Sequence, residues 1–299
     1  KKYPNIKFKI TILNKKLFLD IVKYGLSFHM VKCVYGIFRT QYVTFLSGIF
    51  LGPVFTTKFT ITNRLPSAIG SNSMKIVTPF FPSFAELFVI QDLDSIKRIF
   101  FKINKVLIRF ALFVAISLYC INEIFIKIWV GDAFFGGKSV ELWLLLYILI
   151  YISMGAFGLV IFASKKFEMW PYWLLAEVLV TVFLSIILLK FYGLAGIVAS
   201  LTIGSLVSQL YLFSIVKKQL DFKITELVHG MCSYILLPTL TTLVGAFLLN
   251  NMIVASNWWT LLSVLFWLTF IQLASREIIL IFKYKERRLF DRLVRAFVP

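Results

Sequence analysis

Five cations stand in two runs that are otherwise too apolar to carry them. Lys32 and Arg39 lie in the first run, and Lys58, Arg64 and Lys75 in the second. A charge at bilayer depth is tolerated where it faces water, protein or an anionic ligand. Arg presents a planar fork matched to phosphate oxygens, and Lys a point charge on a flexible stem. Arg64, Ser67, Ser71, Lys75 and Thr78 follow the spacing i, i+3, i+7, i+11, i+14, which puts them on one helical stripe. Lys58 falls about a third of a turn off that stripe. Lys32 and Arg39 are seven residues apart and share a face, with His29 within about a quarter turn of it. Neither run contains Asp or Glu. The chemistry this suggests is a cation-lined, water-accessible cavity that receives phosphate and polar hydroxyls. The competing reading is snorkelling of long side chains to the interfaces. Snorkelling suffices for Lys58 and Lys75, which lie nearer the run ends; Arg39 and Arg64 sit too deep for it. His29 reads equally as a helix-packing histidine.

Glu177, within WPYWLLAEVLV, is the acid well inside a later apolar run. With His29 it is a candidate for ion coupling, yet it could also bond to a neighbouring helix or pair with one of the cations. Glu123, Lys127 and Arg276 fall near run ends, where charges anchor a helix to the interface. The chain has no GxSxG, HExxH or P-loop and no paired carboxylates at catalytic spacing, so neither an enzyme nor a cofactor is expected.

The elements that must hold these residues are helices in lipid. The chain of 299 residues is 60% hydrophobic and 15% charged, with a mean hydropathy of +0.87. Soluble domains are about 45–50% apolar and about 25% charged. A bilayer core needs roughly 20 apolar residues per helix, and open strands would leave unpaired backbone in lipid. That window predicts an all-α polytopic protein with spans near 24–50, 53–80, 106–128, 140–163, 170–190, 193–215, 230–249 and 257–282. Residues 83–105 carry Leu87, Ile90, Leu93, Ile96, Phe100 and Ile103 at helical spacing, among charges. They read as an amphipathic helix on the inner surface, or as an extension of the third span. Residues 1–23 form a basic linker and 283–299 a basic tail.

The net charge of +18 collects on alternate loops, with Lys138 and Lys190 on the other side. The positive-inside rule then puts both ends of this segment in the cytoplasm, with membrane lipids as contacts for the basic side chains. No nucleic-acid module accompanies the charge. Cys33, Cys120 and Cys232 sit in apolar stretches at unrelated spacings and read as reduced small hydrophobes. GLAGIV, from Gly193 to Val198, opens a span with small residues suited to close helix packing.

FLGPVFTTKFTITNRL, TPFFPSFAEL from Thr78, IWVGDAF from Ile128 and FYGLAGIVASLTIGSLV from Phe191 occur in that order. Together they resemble the C-terminal portion of polysaccharide-export flippases, the O-antigen and oligosaccharide-lipid branch of the multidrug/oligosaccharidyl-lipid/polysaccharide exporter superfamily. Members have two helical lobes around a cationic cavity. The resemblance implies a six-helix C-terminal lobe over residues 24–215, two additional helices over 216–282, and a bacterial inner-membrane location. The implied substrate is an undecaprenyl-pyrophosphate-linked oligosaccharide, an O-antigen or capsule repeat unit. By position alone, Arg39, Arg64, Lys32, Lys58 and Lys75 would line its cavity. The family often has an acid near the position of Arg39, and this chain departs from that. Because the chain starts at Lys1, the expectation is that it belongs with an N-terminal lobe, on the same longer chain or on a separate polypeptide. A lipid II flippase, a drug/cation antiporter and, behind these, a polysaccharide polymerase or glycosyltransferase are the alternatives.

Overall fold

A computed structural model describes residues 38–164, 170–226 and 261–270, together with a few single positions elsewhere. Everything described is helical or in short connections between helices. The order is α1 (Arg39–Phe50), α2 (Pro53–Thr62), α3 (Arg64–Val77), α4 (Phe81–Val89), α5 (Leu93–Trp129), α6 (Lys138–Ser153), α7 (Gly155–Ala163) and α8 (Trp170–Leu220). A short apolar helix, α9 (Leu261–Phe270), follows. The expected all-α class is observed.

Among the described residues, two stretches are long and apolar enough to cross a membrane: Lys138–Ala163, of 26 residues, and Trp170–Leu220, of 51. The first is the centre of the structure. α6 packs against α3, α5 and α8, and α7 against α4, α5 and α8. Its core partners are aliphatic and aromatic, with Phe100 and Phe157 in edge-to-face contact at 4.9 Å between ring centres. α1 sits on α8 through Tyr42 and Val43, which pack with Val140, Leu194, Ile197 and Leu201.

The second long stretch is two antiparallel arms. Gly193 adopts φ 53° and ψ −128°, a conformation open to glycine, and reverses the helix there. The arms then meet so closely that a Cβ on Gly196 would strike the Leu188 backbone and one on Gly204 the Thr181 side chain. Gly196, in the run expected to permit close packing, does so, and Gly204 beyond that run does the same. Residues 170–192 span roughly 33 Å at 1.5 Å per residue. Their outward face carries Leu179, Phe183 and Ile186, all more than half exposed, between Tyr172 and Tyr192. That is an apolar band with aromatic ends, the surface lipid favours.

The 83–105 segment differs from a single surface helix. Gln91, at φ 59°, ends α4 in the left-handed region. Asp92 then caps α5 by accepting the Ser95 N–H at 3.0 Å, and the Ser95 side chain together with this N–H holds the Asp92 carboxyl below the ordinary carboxylate range. From Leu93 the chain runs unbroken through α5 for 37 residues, so residues 93–105 extend the following helix. The linker, the tail and most of the last two expected spans lie outside the described residues.

Candidate functional site

The polar stripe of α3 exists as an exposed helix face. Arg64, Ser67, Ser71, Asn72, Lys75 and Thr78 are exposed, while Pro66, Gly70, Ser73 and Val77 on the opposite face are buried against the core. From Arg64 to Lys75 the face runs about 16 Å along the axis. Lys75 Nζ donates to Asn72 Oδ1 at 2.8 Å. The hydroxyls of Ser67 and Ser71 donate to carbonyls of their own helix, at 3.2 and 3.1 Å. Neither α2 nor α3 contains an acidic residue. Lys58 is half-buried on α2.

Arg39 opens α1, and the placement of its side chain lies outside the description; Lys32 lies outside the described residues altogether. His29 is exposed. Glu177 has a definite place. It is 1% exposed and accepts a hydrogen bond from Ser208 Oγ, which joins the two arms of α8. On the same arm as Glu177, Ser185 Oγ and the Thr181 carbonyl take the hydroxyl of Tyr42 on α1, at 2.6 and 3.1 Å. Glu177 therefore serves as a tie between helix arms, one of the roles left open for it.

The start of α3 is held by a residue that no motif or helical spacing singles out. Pro66 lacks an N–H, so the Thr62 carbonyl loses its partner one helical turn on. Asn122 of α5 supplies one: Nδ2 donates to Thr62 O at 3.0 Å. Thr62 Oγ1 in turn accepts the Gly136 N–H at 2.8 Å. Beside Asn122 lies a cluster of charges. Lys138 Nζ reaches Glu123 at 3.0 Å and Glu141 at 2.9 Å, and Lys127 reaches Glu123 at 2.8 Å and Asp132 at 3.5 Å. Glu141 is fully buried. The one available signal was the i, i+3 spacing of Lys138 and Glu141; Asn122 and Thr62 are far from both in sequence.

At the opposite end of the bundle, basic residues from distant segments assemble. Lys97 pairs with Glu226 at 3.0 Å and donates to the Asp221 carbonyl at 3.1 Å. The Lys97 ammonium holds the Glu226 carboxyl below its ordinary value. Lys97, Arg98, Lys102 and Lys105 line one cleft there with Asp94, Phe101 and Glu226. No group of His, Cys, Asp and Glu suited to a metal occurs among the described residues.

Comparison with protein-family models, with curated proteins and with solved structures returns no match.

Proposed function

We propose that this chain is the C-terminal portion of a multi-pass membrane flippase of about eight spans. It moves a polyprenyl-pyrophosphate-linked oligosaccharide across a bacterial cytoplasmic membrane. One observation carries the reading: an exposed helix face bearing Arg64, Ser67, Ser71, Asn72 and Lys75, on a chain that is 60% hydrophobic. Such a face is costly against acyl chains and favourable against water, phosphate and sugar hydroxyls. It forms one wall of a translocation path. The facing wall would come from an N-terminal lobe, and the polyprenyl tail would stay in lipid.

The order of four sequence segments that resemble polysaccharide-export flippases supports the same reading. The described connections at the Lys138 end are short, which leaves little room for the outer domain a polymerase would need. A lipid II flippase or a drug exporter would use the same kind of wall.

The test is a double substitution, Arg39→Ala with Arg64→Ala, in a strain that depends on this protein for surface polysaccharide. Surface polysaccharide should disappear while the protein stays in the membrane at its normal level. Normal export by the double variant would remove the proposed path. Efflux of dyes by reconstituted protein would assign the drug-exporter class instead.

A further inference from the structure

At the basic end of the bundle the chain builds a second wall beside α5. Asp221, at φ 42°, turns the chain out of α8 through the left-handed region. Phe222 then packs into the core, 3% exposed, with its ring edge-to-face on Phe101 at 5.5 Å. Lys97 closes the join by pairing with Glu226 at 3.0 Å and donating to the Asp221 carbonyl at 3.1 Å. Between α5 and this segment lies a cleft of about 670 Å³, the size of a small-molecule site.

The cations of the cleft come from one helix face. Arg98, Lys102 and Lys105 follow the spacing i, i+4, i+7, with Lys97 at their flank. Against these four cations the lining holds two carboxylates, Asp94 and Glu226, and Glu226 is already matched by Lys97. Lys102 is exposed, with neither a hydrogen bond nor an ion pair among the described residues. Arg98 gives one N–H to Ser95 Oγ at 3.0 Å and keeps the rest of its fork. Excess positive charge gathered in a concave site matches an anion with several acceptor oxygens, which is the chemistry of phosphate.

Depth decides where that phosphate comes from. The apolar run of α5 begins at Val106, which is 60% exposed and lies one turn from Lys102 on the same side of the helix. With that run in lipid, Lys105 and Lys102 stand about 1.5 and 6 Å below its start. The headgroup layer is roughly 5–7 Å deep on each side of the hydrocarbon. Helical side chains lean toward the N-terminus, here away from the hydrocarbon. The two ammonium groups therefore fall at the level of headgroup phosphates.

We infer that the cleft binds the phosphate headgroup of an anionic phospholipid, held by Arg98, Lys102 and Lys105 while the acyl chains run past Val106. Basic side chains at a membrane surface attract anionic lipid in general. The cleft goes further and fixes one headgroup in one place, because Lys97 and Phe222 hold its second wall. The site rests on the reading that this chain lies in a bilayer, and not on translocation.

The experiment is native mass spectrometry of the full chain, released from mixed micelles of phosphatidylglycerol and phosphatidylcholine in equal amounts. Phosphatidylglycerol should be retained in preference to phosphatidylcholine. The preference should fall about fivefold for each cation removed, in Lys102→Ala and again in Arg98→Ala/Lys102→Ala, and Lys102→Arg should keep it. Lys217→Ala/Lys218→Ala takes as many charges from the same end but outside the cleft, and should leave the preference unchanged. An equal loss in that control overturns the site in favour of diffuse attraction, and so does a parent chain without the preference. Inorganic phosphate, added to the chain in phosphatidylcholine alone, separates the two sources. Retained phosphate with no preference for phosphatidylglycerol overturns the lipid and assigns a soluble phosphate compound. Lys102 makes no bond that its loss would break, so Lys102→Ala should keep the parent's thermal transition and carries the test if the double variant does not fold. Release of the chain from membranes by alkaline carbonate would remove the membrane reading and this site together. An intact lipid preference with normal export in Arg39→Ala/Arg64→Ala would remove the path and leave the site standing.

Discussion

α3 and the two arms of α8 both place hydroxyls and ionisable groups inside an apolar chain, with opposite results. In α8 the polar groups turn inward and find partners: Glu177 meets Ser208 of the other arm, and Ser185 meets Tyr42 of α1. In α3 they turn outward, and the hydroxyls bond back to their own helix while the cations stay on the exposed side. Inward polar pairs tie helices together, because leaving a buried partner unmatched costs about 1–3 kcal/mol. Outward ones contribute little to folding and stay free for something else. The difference separates a structural use of polarity from the functional one proposed for α3.

The comparison breaks most sharply at Gly204. Its missing Cβ is where Thr181 sits, so Gly204→Ala should part the arms of α8. Overpacking of this kind costs about 1–3 kcal/mol. Since both groups are in a tight seam, the upper end is expected, read as a lowered unfolding temperature in detergent and a reduced yield. An unchanged transition would mean that the arms are not in register. Next in size is the support under α3. Asn122→Ala leaves the Thr62 carbonyl bare and should cost about 1–3 kcal/mol. In a Pro66→Ala background residue 66 regains an N–H for that carbonyl, and the Asn122→Ala penalty should fall by more than half. Equal penalties in the two backgrounds would break the link between Pro66 and Asn122. The smallest effect belongs to the exposed face itself: Arg64→Ala and Lys75→Ala should each change stability by no more than about 0.5 kcal/mol. A large loss of stability there would give these cations a structural role and dissolve the contrast with α8.

The stripe and the α8 reversal were both legible in the sequence, because each is local. Helical spacing alone puts Arg64, Ser67, Ser71 and Lys75 together. Gly193 at the head of a small-residue run marked where one apolar stretch becomes two. For the 83–105 segment the periodicity leaves a surface helix and an extension of the third span both open, and residues 93–105 follow the second. Its break depends on Gln91 taking a left-handed conformation and on the Asp92 cap, neither of which hydrophobic spacing registers. Glu177 could be found but not assigned, since its partner Ser208 is 31 residues away across the reversal. The Thr62–Asn122 bond is invisible for the same reason on a larger scale. It joins α2 to α5 across 60 residues, and its logic starts from Pro66.

If the chain spans the membrane as proposed, the turn at Gly193 bears on how it would enter the bilayer. An arm carrying Glu177 by itself would expose a carboxyl to lipid, at a cost of about 3 kcal/mol near the bilayer centre. Folded at the glycine, the following arm brings Ser208 alongside as it is synthesised, and the two can leave the translocon as one helical hairpin. On that reading, biogenesis of this region would depend on a local reversal completed during synthesis, before the rest of the bundle has arrived.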